Sequence, residues 1–93
     1  MSLLQTRAAG EMFGCEWAFD DGQATLIDLD IAHVLDYLAD MPWKAQAAIH
    51  AAMAGLDEEP AGGRESLPKT FVAILDSILA PLVEQFVEDG GVL

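Results

Sequence analysis

Two aspartates one residue apart are the feature of this sequence that most resembles reactive chemistry. Asp28 and Asp30 close the apolar stretch TLIDLDIA, residues 25–32. Paired carboxylates at the end of a strand can supply a nucleophile and a proton-transferring acid. The same residues also fit a structural role. In that role Asp30 caps a helix that begins at Ile31, and Asp28 is a surface acid at the end of a strand.

The stretch TLIDLDIA resembles the nucleophile motif of haloacid dehalogenase-type phosphatases, an Asp-x-Asp at the end of a central parallel strand. The resemblance would make Asp28 the nucleophile and Asp30 the acid. Ala32 stands where such enzymes usually have Thr or Val, and only 63 of the 93 residues follow Asp30. Those residues read as helices and not as the strands of a parallel sheet. We therefore predict the capping role and no catalytic residue.

The stretch LDSIL, residues 75–79, resembles the Asp-Ser-Leu motif of acyl and peptidyl carrier proteins, which are also small, acidic and helical. The resemblance would make Ser77 the attachment point of phosphopantetheine. In carriers that serine begins a helix near the middle of the chain, with two helices after it. Ser77 falls inside the last predicted helix, with sixteen residues remaining. A carrier protein is therefore a distant alternative, and no cofactor is expected.

The other residues that could bind a metal or attack a substrate are scattered. His33 and Asp36 are three residues apart and His50 is the only other histidine, so no tight pair of zinc ligands exists and no metal site is expected. Cys15 is the only cysteine, which excludes an internal disulfide and fits a reducing compartment. Because neighbouring acids disfavour a thiolate, we expect Cys15 to be a core residue.

The charge is strongly acidic and unevenly distributed. The chain carries 16 Asp plus Glu against 4 Lys plus Arg, a net charge of −12. Eight of the acids, and no Lys or Arg, lie between Arg7 and Lys44. This segment would repel a phosphate backbone, so direct nucleic-acid binding is not expected. It would attract a basic protein surface instead.

The hydrophobic pattern predicts a single small α+β domain, mostly helical, over residues 1–93. Residues 12–29 read as a β-hairpin, with alternating apolar residues from Phe13 to Phe19 and an Asp21-Gly22 turn. Three helices are predicted over 30–40, 42–55 and 67–89, with a flexible loop at 57–66. Pro81 predicts a kink in the third helix.

The third helix shows one apolar stripe in the sequence, and the whole chain is unusually apolar. The stripe contains six residues: Phe71, Ile74, Leu75, Ile78, Leu82 and Phe86. The chain is 53% hydrophobic, which is more than a core this small usually hides. We therefore expect a homodimer, with Val72, Val83 and Val87 available outside the stripe as its seam.

These features predict a cytoplasmic, non-enzymatic protein that binds and modulates a protein partner through an acidic face. No signal peptide and no membrane-spanning segment is expected. Immunity proteins, phage-encoded inhibitors and DNA-mimicking proteins, from bacteria or their phages, share this physical profile. A self-associating structural or assembly-chaperone protein is the alternative, in which the acids serve solubility alone. The residues predicted to bind the partner are Glu16, Asp20, Asp21, Asp36, Asp40, Tyr37 and Trp43.

Overall fold

A three-stranded antiparallel sheet is followed by three helices. The computed structural model describes residues 8–93, and the N-terminal residues that bear on a signal peptide lie outside this range. The strands are β1 (Ala8–Met12), β2 (Cys15–Asp20) and β3 (Gln23–Leu29), and the helices are α1 (Ile31–Asp36), α2 (Trp43–Ala54) and α3 (Lys69–Glu88). Short 3₁₀ turns occupy Leu38–Asp40 and Arg64–Ser66. The α+β class and the order of strands before helices are confirmed.

The sheet has one strand more than the predicted hairpin. The expected first strand, residues 12–19, is broken by a tight turn in which Phe13 has φ 59° and Gly14 has φ 78°. β1 precedes this turn and pairs with β2 from Ala8↔Phe19 to Met12↔Cys15. Positive φ is rare for an aromatic residue, so the place of Phe13 in the alternating pattern was misleading. The inward alternation holds only from Cys15 onward.

The second turn confirms the predicted Asp-Gly signal. Asp21 (φ 52°) and Gly22 (φ 79°) form the two-residue turn between β2 and β3, a conformation that matches the twist of the strands it joins. The register shifts between Glu16 and Trp17, whose partners in β3 are Asp28 and Leu26. Ile27 is therefore the extra residue of a bulge, which interrupts the alternation of buried and exposed residues between Leu26 and Leu29.

The outer edge of β3 is covered by α3 and by the loop before it. Glu84 Oε2 accepts a hydrogen bond from Ala24 N at 2.8 Å, and Asp76 Oδ2 accepts from Leu26 N at 3.4 Å. Arg64 donates to Ile27 O at 2.6 Å. Beyond the strand, the predicted flexible loop pairs with the chain through the Asp30↔Gly63 bridge and a hydrogen bond from Ile31 N to Gly62 O.

α3 is rotated relative to the predicted stripe. Its buried residues are Phe71, Val72, Leu75, Leu79, Ala80 and Val83. Ile74 and Phe86, predicted to be buried, are 43% and 39% exposed. At 3.6 residues per turn the shift is roughly a quarter turn. It follows from the contacts with β3, because Asp76 and Glu84 must face the sheet edge.

The rotation buries two of the three valines of the predicted dimer seam. Val72 and Val83 lie in the core, and Val87 is half-buried. The prediction that Val72 and Val83 are free to bind a second copy is therefore wrong. The large apolar side chains that α3 exposes are Ile74 and Phe86.

One helix in the described part of the chain, α3, is long and apolar enough to cross a membrane, with a mean hydropathy of 1.6. Here it is the central helix of a compact globule, with Leu75 and Leu79 fully buried. Asp76 and Glu84 face β3 from the same helix. The core helix of a globular protein can pass the same length and composition test, and 28% of the apolar window of α3 is buried in this fold.

Candidate protein-binding surface

Asp28 and Asp30 both make backbone hydrogen bonds. Asp30 has extended backbone angles and its Oδ1 accepts from Ala32 N at 3.0 Å, so it is the N-cap of α1, as predicted. Asp28 Oδ1 accepts from Leu29 N at 2.8 Å. Both side chains are exposed. The strand that carries them is the edge of an antiparallel sheet, unlike the central parallel strand of the phosphatase motif.

Gly14 brings α1 against the turn between β1 and β2. A Cβ atom at this position would lie 2.5 Å from His33 C and from Val34 N, closer than packed atoms approach. Its positive φ also favours glycine. Because glycine permits this contact, the polar side of α1 lies beside the end of β1.

Two adjoining surface depressions result. The larger, of ≈ 680 Å³, is lined by Asp36, Tyr37 and Asp40 together with the β1–β2 turn. The smaller, of ≈ 380 Å³, is lined by residues of β2, β3 and the start of α1. Glu11, Gly14 and His33 line both. The six exposed acids that line them form the acidic face: Glu11, Glu16, Asp28, Asp30, Asp36 and Asp40.

Three of these acids form a row across the sheet. Glu11 is paired with Glu16 in the β1–β2 ladder, and Glu16 is paired with Asp28 in the β2–β3 ladder. Like charges directly opposite each other on neighbouring strands are destabilising. The row therefore costs folding free energy and creates a concentrated negative field on the outer side of the sheet.

Cations are nearly absent from the described part of the acidic face. Among residues 8–93, no Lys or Arg lines either depression, and His33 is the one basic residue in their lining. Tyr37 is 47% exposed and adds an aromatic surface to the larger depression. The arrangement can attract a cationic group and pack a ring or an alkyl chain beside it.

The structure brings together four of the seven residues predicted to bind a partner. Glu16, Asp36, Tyr37 and Asp40 line the two depressions. Asp20 and Asp21 lie at the opposite end of β2, about 13 Å from Glu16 at the usual rise of a strand. The single negative field expected from all five predicted acids is thus divided into two groups.

Trp43 stands apart from both depressions. It is 77% exposed at the first residue of α2. An exposed tryptophan at this position fits an interface anchor, but Trp43 lines neither depression of the acidic face.

Sequence reasoning missed three members of the acidic face: Glu11, Asp28 and Asp30. Glu11 was missed because β1 was not recognised. Asp28 and Asp30 were assigned local structural roles, which they have, and which leave their carboxylates exposed. A signal was available in the pattern of the strands, since Glu16 and Asp28 fall on the outward side of a predicted hairpin.

Cys15 touches the smaller depression but does not open into it. The side chain is 1% exposed, and its Sγ donates to Phe13 O at 3.7 Å. Burial raises the pKa of the thiol from 9.0 to about 12, and the negative charge of Asp76 adds to the effect. The thiolate needed for nucleophilic attack is therefore strongly disfavoured.

The side chains of the acidic face are not arranged as the ligands of a metal ion. Among residues 8–93, no group of three or more His, Cys, Asp and Glu side chains is arranged to hold a metal ion. Ser77, the serine of the carrier-like motif, lies inside α3, as predicted, and not at a helix start.

Comparison with known proteins identifies no relative of this chain. The chain matches no protein-family model, no curated protein and no solved structure. Its function is therefore inferred from the surface itself.

Proposed function

We propose that this is a small non-enzymatic accessory protein that binds and modulates a protein partner through the acidic face. The observation that carries the proposal is the convergence of six exposed carboxylates on two adjoining depressions, which no Lys or Arg of residues 8–93 lines. The partner is a protein with a basic surface. The cytoplasm is the proposed compartment, because the one thiol is unpaired and buried.

Electrostatics explains what such a face contributes. A field of one sign attracts an oppositely charged surface over about a Debye length and raises the association rate. Each exposed ion pair adds little affinity by itself. Tyr37, half-exposed between α1 and the following 3₁₀ turn, supplies apolar contact area that charges alone do not.

Binding of the acidic face would modulate the partner by occupying its basic surface. A basic surface on a protein commonly serves to bind a nucleic acid or an acidic partner. Covering that surface with the acidic face would block the competing ligand. This is the physical profile of an inhibitor or immunity-like protein of bacterial or phage origin.

Affinity capture from the native host with matched charge variants tests this proposal. The variant Asp36→Lys plus Asp40→Lys reverses two charges of the acidic face. Asp57→Lys plus Glu58→Lys makes the same net change on exposed loop residues outside it. We expect the wild type and the loop variant to retain the same basic protein at low salt, and the first variant to lose it. Equal retention by all three proteins would contradict the proposal.

Exposed apolar residues favour a second candidate, a self-associating structural or assembly-chaperone protein. Trp43, Ile74 and Phe86 are large apolar side chains that the described fold leaves exposed. Self-association would cover them and would be insensitive to salt. Light scattering at about 100 μM, above ordinary dimer dissociation constants, tests the self-association that this second candidate requires. A monomer at that concentration would exclude the assembly protein and the expected homodimer.

A further inference from the structure

The two edges of the sheet differ in how their backbone groups are satisfied. In an antiparallel ladder, residues whose N–H and C=O do not pair with the neighbouring strand alternate with those that do. Counting from the Asp21-Gly22 turn, Ala24 and Leu26 of β3 point outward. Their N–H groups are bound by Glu84 and Asp76. The edge of β3 is thus closed to another strand.

The same counting opens the edge of β1. Met12 and Cys15 flank the turn and pair with each other, so the next outward residue of β1 is Glu11, and Ala9 follows two positions before it. Within residues 8–93, no hydrogen bond reaches the outward N–H or C=O of Glu11. Trp17 Nε1 donates to Met12 O at 3.0 Å, at the very end of the strand.

We propose that β1 is the docking strand for an extended, Lys- or Arg-bearing segment of the partner, which adds to the sheet as a fourth strand. The inference rests on the proposed function and assigns its partner a backbone conformation and a register. Glu11 would donate its N–H to the incoming strand and accept through its C=O. Strand addition of this kind gains affinity from backbone hydrogen bonds and specificity from alternate side chains.

The acidic row decides the chemistry of the incoming strand. The residue that pairs with Glu11 places its side chain on the same face as Glu11, because paired residues of neighbouring strands share a face. That is the outer face, where Glu11, Glu16 and Asp28 stand in a row. A cation at this position meets the Glu11 carboxylate directly, while Glu16 and Asp28, on the next two strands, add to the negative field that attracts it.

A second copy of this chain fits the edge poorly. Symmetric pairing centred on Glu11 would set the two Glu11 carboxylates opposite each other, which is destabilising. Each copy also carries a net charge of −12, and both acidic rows would lie in one continuous sheet face. A basic segment has neither cost.

A synthetic peptide of alternating lysine and valine, about seven residues long, tests the proposal, since it spans the five residues of β1. A second peptide, the N-methyl peptide, has the same sequence with each lysine backbone amide methylated, which keeps the charge and removes the donors that face β1. We expect the valine peptide to slow exchange of the Glu11 amide hydrogen by at least about tenfold. The chemical-shift changes should centre on β1, and binding should weaken with salt. The N-methyl peptide should leave that exchange rate unchanged.

Three substitutions separate the contribution of the β1 backbone hydrogen bonds from that of the Glu11 charge. Glu11→Pro removes the outward N–H at a position where an edge strand tolerates proline, so it should weaken binding of the valine peptide by at least about tenfold. Glu11→Gln keeps the N–H and should weaken binding less. Glu58→Gln, with the same charge change in the exposed loop, should have little effect.

The contrary results are equally definite. Equal binding of both peptides, or equal binding of the valine peptide by wild type and a folded Glu11→Pro variant, would overturn the docking strand and leave the proposed function intact. No binding of the valine peptide, or protection of the Glu11 amide by dimerisation, would also overturn it. Failure of the proposed function would show separately, in host capture that is unaffected by reversing Asp36 and Asp40.

Discussion

At the scale of single residues, the side chains that could have been reactive make structural hydrogen bonds instead. Asp30 caps α1, Asp28 bonds to the next backbone amide, and Cys15 is buried beside Phe13 O. The capping role was predictable, because an acid directly before a helical pattern is its usual signal. The negative environment of Cys15 was anticipated from neighbouring acids, but its source in the structure, Asp76, is distant in sequence.

Cys15 should make the protein less stable at alkaline pH. Its folded pKa is about 12 against an ordinary 9.0, so above pH 9 the unfolded chain loses a proton that the folded chain keeps. The free energy of unfolding should therefore fall from pH 9 toward 12, with a contribution of at most about 1.4 kcal/mol per pH unit. Urea unfolding at pH 8, 9 and 10 measures it. The slope should be shallower in Cys15→Ala, and identical slopes would contradict the assignment.

The two aspartates should differ in their effect on stability. Asp30→Ala removes an N-cap and should lower the free energy of unfolding by about 0.5–2 kcal/mol. Asp28→Ala should cost less, since it also removes a carboxylate that faces Glu16. Thermal or urea unfolding of both variants tests the order. A larger loss for Asp28→Ala would show that the α1 cap is not the dominant contribution.

At the scale of the elements, local signals predicted what local chemistry determines. The Asp21-Gly22 turn, the start of α1 and the burial of Trp17 follow from turn residues, capping and alternation. The Phe13-Gly14 turn was hidden, because a residue that is rarely found at positive φ occupies its first position. The rotation of α3 was hidden as well. It is set by carboxylates that reach the β3 edge, a contact that periodicity within one helix does not contain.

Gly14 should be among the most sensitive surface-proximal positions. Gly14→Ala places a Cβ 2.5 Å from the backbone of His33 and Val34 and imposes positive φ on alanine. We expect a loss of more than about 1 kcal/mol, because both the turn and its contact with α1 are strained. Gly22→Ala is the matched control, since Gly22 has the same φ sign but no atom within 4 Å of its Cβ position. Equal losses in urea unfolding would contradict the close approach to α1.

At the scale of the whole molecule, charge and shape combine in a way the sequence conveyed only in part. The net charge and its bias to the N-terminal half can be read from the sequence, and they predicted a protein partner and not a nucleic acid. The division of the acids into two groups could not be read from the sequence, because it depends on the length of β2 and on where α1 packs. Asp20 and Asp21 lie at one end of the strand, while Asp36 and Asp40 join Glu11 at the other.

The rate at which the captured partner associates tests the central claim, that the acidic face binds a basic protein. Rapid-mixing kinetics would compare the wild type with Asp36→Lys plus Asp40→Lys, using Asp57→Lys plus Glu58→Lys as the control. We expect the first variant to associate at least about tenfold more slowly at low salt, and the difference to shrink as salt screens the field. The loop variant should stay close to the wild type. Association rates that are equal for all three proteins at low salt would contradict the claim.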